Sequence, residues 1–237
     1  MVVNKHGSFY MRSGWGTKII QAVEQDAMIF TPSSEQEAID NIGLGRVMIK
    51  ALRYWSDAMG LTHEEKEQGG IRLIPEPIYH SILNHDLYFQ RLGSLLLLHR
   101  NLALNEENAT AWYWLFNEWK QNVFTKDAFV DGFHSFLSVN GMKVKKTAVD
   151  KEFNCLKNTY IGEGKFDKNS IMDEDTYPFL APLQILKETG KNTYEKRSLT
   201  GKEVPLEILI YSIAMDNIDE SSSGRQINID KLMEEKR

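Results

Sequence analysis

Arg46, Lys50 and Arg53 follow one another at spacings of four and three residues, with no acid between them. A helix through this stretch would project three long cationic donors from one side. Such donors fit phosphate oxygens and the acceptor edges of bases, so nucleic acid is the ligand class they suit first. The alternative is a solvated surface on which Arg53 pairs with Asp57, one turn further on. Lys143, Lys145, Lys146, Lys151 and Lys157 pose the same choice with Asp150 and Glu152 interspersed, and the sequence favours neither reading there.

Metal-dependent phosphodiester cleavage needs carboxylates that hold a divalent ion beside a charge-stabilising amine. Glu64-x-Lys66, Glu118-x-Lys120, Glu163-x-Lys165 and Glu234-x-Lys236 each supply the short half of such a pattern, and Asp150 would join Glu163 and Lys165 in the least unsatisfactory set. In a chain this rich in Glu and Lys one or two matches arise by chance, and Asp150 falls within a helical pattern. His80, His85, His99 and His134 lack paired ligand spacing on a helix face and read as hydrogen-bonded or surface histidines. Asp173-Glu174-Asp175 reads as a solvated acidic loop. Cys155 is the single cysteine, which excludes an internal disulfide and any thiolate-rich metal site; it lies in a helical pattern and is expected to pack. No phosphate-binding, dinucleotide-binding or serine-hydrolase motif is present, so catalytic and metal-ligating residues stay unassigned.

The elements that would carry the first cations are well marked. Residues 17–24 read as a short helix, and a second starts at Ser34, which with Glu37 makes a capping box. It stops at Gly43-Leu44-Gly45, and a third helix runs from Arg46 to Ala58. Leu44, Val47, Met48, Ala51, Leu52 and Trp55 fall on its inner side, opposite the cations. Residues 61–77, with Gly69-Gly70 at the turn and Pro75 and Pro77 at the end, read as a β-hairpin. Helix, tight turn, cationic helix and hairpin give the order of a winged helix-turn-helix.

Residues 78–160 read as helical, with helices near 88–104 and 109–121. Trp112, Tyr113, Trp114, Phe116 and Trp119 stand among few basic residues, and read as core rather than as a base-stacking platform. Thr125 caps a helix carrying Phe129, Phe133, Phe136 and Leu137 that ends near Asn140-Gly141. The next helix places Val149, Phe153, Leu156 and Tyr160 inward and Lys151, Asn154, Lys157 and Asn158 outward, which admits a second helix-turn-helix. Residues 162–175 read as a linker, 179–186 and 206–215 as helices, and 219–237 as a polar tail.

The 237 residues thus suggest a mainly α chain with small β wings, of α+β class. The expected modules are a winged helix-turn-helix at 1–78, a helical domain at 79–165 and a C-terminal helical region at 166–237. No apolar run reaches the roughly 18 residues of a membrane span; Leu92 to Leu98 ends at His99 and Arg100. The N-terminus has no basic-then-apolar leader, so residence in the cytoplasm is expected. A net charge of −5 argues against wholesale coating of nucleic acid but leaves local cationic faces open.

His6-Gly7-Ser8-Phe9, Arg12-Ser13-Gly14-Trp15 and Lys18 resemble the opening signature of a bacterial family found beside DNA phosphorothioation genes, which includes the SspB-type DNA-nicking subunits of single-strand phosphorothioation systems. Gly7 departs from that signature, where an acid is expected. The stretch from Ile42 to Trp55 resembles the family's helix-turn-helix. Leu95 to His99 and Ala109 to Asn117 resemble its central helices, and Thr147 to Tyr160 and Pro178 to Leu186 its later blocks. The family pattern continues past Arg237. The resemblance implies a DNA-binding protein of phosphorothioate modification and anti-phage defence that nicks double-stranded DNA. It further implies Mg²⁺ or Mn²⁺ for that reaction, and the systems' ATPase and sulfur-transfer enzymes as partners. Two other functions fit the same module: a winged-helix transcriptional regulator, and a scaffold that binds partner proteins.

Overall fold

The structure is a computed structural model and describes residues 1–161 and 177–217. Helix α1 (Trp15–Gln25) buries Trp15, Ile19, Ile20 and Val23. A 3₁₀ turn leads into α2 (Glu35–Ile42), whose N-cap Ser34 makes no side-chain capping bond, so the expected capping box does not form. The turn that precedes α2 holds Ser34 at φ −96°, ψ 11°, away from the extended backbone a capping hydroxyl needs. Gly43 ends α2 at φ 71°, a left-handed conformation that costs glycine nothing. Three residues later α3 (Arg46–Ala58) begins and buries Ile49, Leu52, Tyr54 and Trp55. Val47, expected on the inner side, is 53% exposed because it lies in the first turn, before α3 enters the body.

Strands β1 (Thr62–Glu67) and β2 (Gly70–Pro75) form the expected antiparallel hairpin, with Thr62 opposite Pro75 and Glu67 opposite Gly70. The helix expected from 88 starts only at Leu92: α4 (Pro77–His85) comes first, then a loop, then α5 (Leu92–Leu104). Asp86 accepts bonds from the Gln90 and Arg91 amides and so holds that loop in place. Helix α6 (Thr110–Tyr113) continues as a π turn through Glu118. Lys196 donates to the carbonyls of Leu115 (2.7 Å) and Trp119 (2.5 Å), which covers acceptors that the wider turn exposes.

The second half builds a three-stranded antiparallel sheet beside two helices. Strand β3 (Val123–Thr125) runs into α7 (Lys126–Val139), where the Thr125 hydroxyl accepts from the Ala128 amide as its cap. Helix α8 (Lys146–Tyr160) follows after six residues. Residues 179–186, expected to be helical, form a 3₁₀ turn around Pro182 and then enter β4 (Leu186–Gly190). Proline lacks the amide a longer helix would use, and Gln184 sits at φ 51°, so the chain turns. Strand β5 (Thr193–Lys196) returns between β3 and β4, giving the order β3-β5-β4. Helix α9 (Leu206–Asn217) packs on α5.

One continuous cluster of buried residues runs from Tyr10 to Tyr194 and joins both halves. Trp114 lies 4.3 Å from Trp119 and 5.2 Å from Phe129 and Phe133 between ring centres, so Trp112 and Trp114 are core with Phe116 and Trp119 packed against it, while Tyr113, expected with them, is half-exposed and bonds Glu118. Cys155 is buried, and burial followed by the nearby Glu152 raises its thiol well above the usual range. Asn158, expected on the outer face of α8, is buried because the C-terminal half of that helix is enclosed by the body.

Candidate nucleic-acid interface

Helix α3 is positioned by its apolar side and by the Trp55 indole, which donates to the Phe9 carbonyl at 2.9 Å. Its opposite side holds Arg46 and Lys50, whose side chains are 65% and 68% exposed. Both reach one acid, Glu35 in the first turn of α2, at 2.8 and 3.2 Å. Arg53 is less open and makes a two-pronged contact with Glu64 of β1 at 2.6 and 3.0 Å. Asp57, the partner expected for Arg53, instead accepts from the Asn108 amide at 2.9 Å, and burial, then Glu64, raises its carboxyl above the usual range. Three cations therefore face two acids. The hairpin beside them carries Glu64, Glu65 and Glu67 on its exposed first strand. A phosphate backbone laid along α3 would meet Glu35 and Glu64 as well as the cations.

The α7–α8 turn has a different balance. Lys143, Lys145, Lys146 and Lys151 are exposed at or near the start of α8. Lys146 pairs with Asp131 at 2.6 Å, a contact open to water on both sides. Lys143, Lys145 and Lys151 have no ion-pair partner among the described residues. Lys157 lies six residues beyond Lys151, in the half-enclosed end of α8, and does not join this group. His134 bonds the Val144 carbonyl at 3.0 Å and fixes the turn, beside a shallow cavity of about 430 Å³ lined by His134, Ser138, Met142, Lys143 and Lys145. At the opposite end of α7 the tip of the β4–β5 hairpin carries Lys191, exposed; the adjacent Asn192 carbonyl accepts from the Lys126 amide at the start of α7. Sequence reading missed Lys191 because it missed the hairpin. Its signal was Gly190-Lys191-Asn192 between Thr189 and Thr193, a short turn flanked by strand formers.

The residues of the opening signature all prove to be placed by contacts within the chain. His6 is fully buried: its Nδ1 accepts from the Ser8 amide at 3.0 Å, so the ring proton sits on Nε2 and points at Glu152 of α8, 3.1 Å away. Glu152 also accepts from the Asn4 amide. The imidazole stacks on Trp55 and meets Tyr54 and Trp112 edge-on. Arg12 lays its guanidinium over Tyr10, Trp15 and Phe9 at 5.1 to 6.0 Å, and its Nε finds no hydrogen-bond acceptor among the described residues. Trp15 is core. Lys18 donates to the Ile42 carbonyl at 2.8 Å, where a cation complements the end of α2. Gly7, found where an acid was expected, adopts φ 59°, a conformation an acidic side chain would strain.

Among the described residues no three His, Cys, Asp or Glu side chains lie close enough to hold a metal ion. Glu64 is engaged by Arg53, and Glu118 accepts from the Tyr113 hydroxyl at 3.2 Å, so neither Glu-x-Lys pair there is a ligand set. Among the described residues the donors do not fit a divalent ion, and no chemical step is assigned through one. Glu163-x-Lys165, Asp173-Glu174-Asp175, Glu234-x-Lys236 and the expected linker and tail lie outside the described residues. No described helix is long and apolar enough to cross a membrane.

The fold is similar to that of SspB. A crystal structure of magnesium ion-bound SspB superposes with a TM-score of 0.75 at 22% sequence identity, covering 91% of this chain and 66% of that one. A second SspB crystal structure gives 0.74 at 22% identity, covering 88% and 63%. This chain thus spans just under two thirds of the proteins it resembles. A search of curated proteins gave no match. The likeness to SspB extends over about nine tenths of the chain, and a family model matches residues 3–237 nearly end to end: the chain belongs to the family described as protein of unknown function, DUF4007.

Proposed function

We propose that this chain is the DNA-contacting part of an SspB-type component of a bacterial DNA phosphorothioation and anti-phage defence system, with α1–α3 and β1–β2 as one winged helix and α7–α8 with the three-stranded sheet as another. The observation that carries this reading is the exposed group Lys143, Lys145 and Lys151, without acid partners among the described residues, at the start of α8. Cations there reach phosphates without first giving up a partner. The order β3-β5-β4 beside two helices supports the winged-helix reading of this unit.

Arg46 and Lys50 supply a second contact. Exposed ion pairs such as theirs with Glu35 are worth about 0 to 1 kcal/mol, so a phosphate can displace the acid. Arg53 stays with Glu64 and positions the hairpin. Nicking, a divalent ion for it, and association with the ATPase and sulfur-transfer enzymes of such systems follow from the SspB resemblance. At the first hairpin Glu64 is held by Arg53 and Glu67 by Arg72, so neither arginine is free for phosphate there, which favours a protein-binding role for this wing.

Binding of the full chain to a labelled duplex across a salt series tests the reading. Lys143→Glu with Lys145→Glu is expected to weaken binding by about tenfold or more. It should also flatten the slope of log affinity against log salt by about 0.9 for each phosphate the variant no longer neutralises. Arg46→Glu with Lys50→Glu should have the smaller effect. Unchanged affinity in the double lysine variant would overturn the assignment to α8. Supercoiled plasmid incubated with Mg²⁺ or Mn²⁺ tests nicking separately: open-circular product would support it, and its absence under either ion would leave the chain a binding component.

A further inference from the structure

Helix α9 is apolar on two sides. Ile208 faces α5, close enough that a Cβ on Gly93 would lie 3.2 Å from it. Turned away from that contact are Leu206, Leu209, Ile210, Ile213 and Ala214, at the spacing i, i+3, i+4, i+7, i+8 that defines a helix-packing stripe. Leu206 is 65% and Ile210 58% exposed, and Leu209 and Met215 nearly half. A helix that is apolar all round belongs in an interior, and a continuous stripe of this kind marks a contact surface.

On the Ile208 and Tyr211 side of α9 lies a groove of about 660 Å³ between α4, α5 and α9; Arg91 and Glu207 edge it, and Asp86 lines it with its carboxylate held by the Gln90 and Arg91 amides. Arg91 and Glu207 are exposed, and neither has an ion-pair partner among the described residues. One rim thus offers both a cation and an anion. An isologous pair needs this property, because each residue of the patch must satisfy its counterpart on an identical surface.

We infer that the outer face of α9 is a self-association surface: a second copy of this chain lays its own α9 on it, with Arg91 of each copy opposite Glu207 of the other. The inference does not depend on DNA binding. Light scattering after size exclusion, on the full chain over a concentration series, is expected to show mass rising to twice that of the chain. Ile210→Glu should return it to the monomer with its circular dichroism unchanged. Arg91→Glu and Glu207→Arg, which place no burden on folding, should each weaken the dimer about tenfold, and the double reversal should recover it. A monomer at every concentration, a dimer indifferent to Ile210→Glu, or no recovery in the double reversal would each overturn the proposal.

Discussion

Burial decides the protonation of His99. Desolvation pushes its imidazole down to about 4, and Tyr160 stands 2.9 Å from Nδ1, where the hydroxyl can donate only to an unprotonated nitrogen. Phe116 closes the other side at 4.8 Å between ring centres. In the unfolded chain the same side chain titrates near the ordinary histidine value of 6.5. Between the two values the unfolded state binds the extra proton, so stability rises with pH through that window. The contribution is complete above about 6.5 and fades as pH falls towards 4. Denaturant unfolding at steps across this range should therefore show a decline for the native chain that is shallower in His99→Gln. Equal slopes would mean that His99 titrates alike in the folded and unfolded states.

At the scale of elements, the cap of α7 offers a clean comparison with the one that failed. Thr125 lies in extended backbone and accepts from Ala128, whereas Ser34 lies in a 3₁₀ turn and caps nothing. Thr125→Ala should cost about 1 kcal/mol of stability, and Ser34→Ala close to nothing, measured by chemical denaturation. The same contrast marks the reach of sequence reading. Periodicity and glycines placed α3 and the β1–β2 hairpin within a residue or two, because an amphipathic helix and a glycine turn are local properties. The β4–β5 hairpin was not visible, since Leu186 and Tyr194 are the only buried apolar residues of its strands and a largely apolar stretch from Leu180 leads into it. The candidate interface was legible as a set of outward cations. The acids that answer them were not, because Glu35 and Glu64 approach α3 from other elements.

At the scale of the molecule, the buried link between the opening segment and α8 matters most. His6 and Glu152 are 146 residues apart in sequence, and neither could be paired from spacing alone. Together with Asn4 they tie the N-terminal unit to the helix that runs through the second, while Trp55 and Trp112 pack across the same junction at 5.4 Å. A carboxylate in such a place is tolerable only because donors surround it. Removing it in Glu152→Ala strands the His6 Nε2–H and the Asn4 amide inside the protein, which should cost roughly 3 kcal/mol. Because the core is continuous, the two units should also melt as one: tryptophan fluorescence and far-ultraviolet circular dichroism should report a single coincident transition. Glu152→Ala should move that transition down as a whole, by an amount shared by both probes. Two separated transitions in the native chain would show that residues 1–78 hold together without α8, and that the His6–Glu152 contact joins two bodies that are each stable alone.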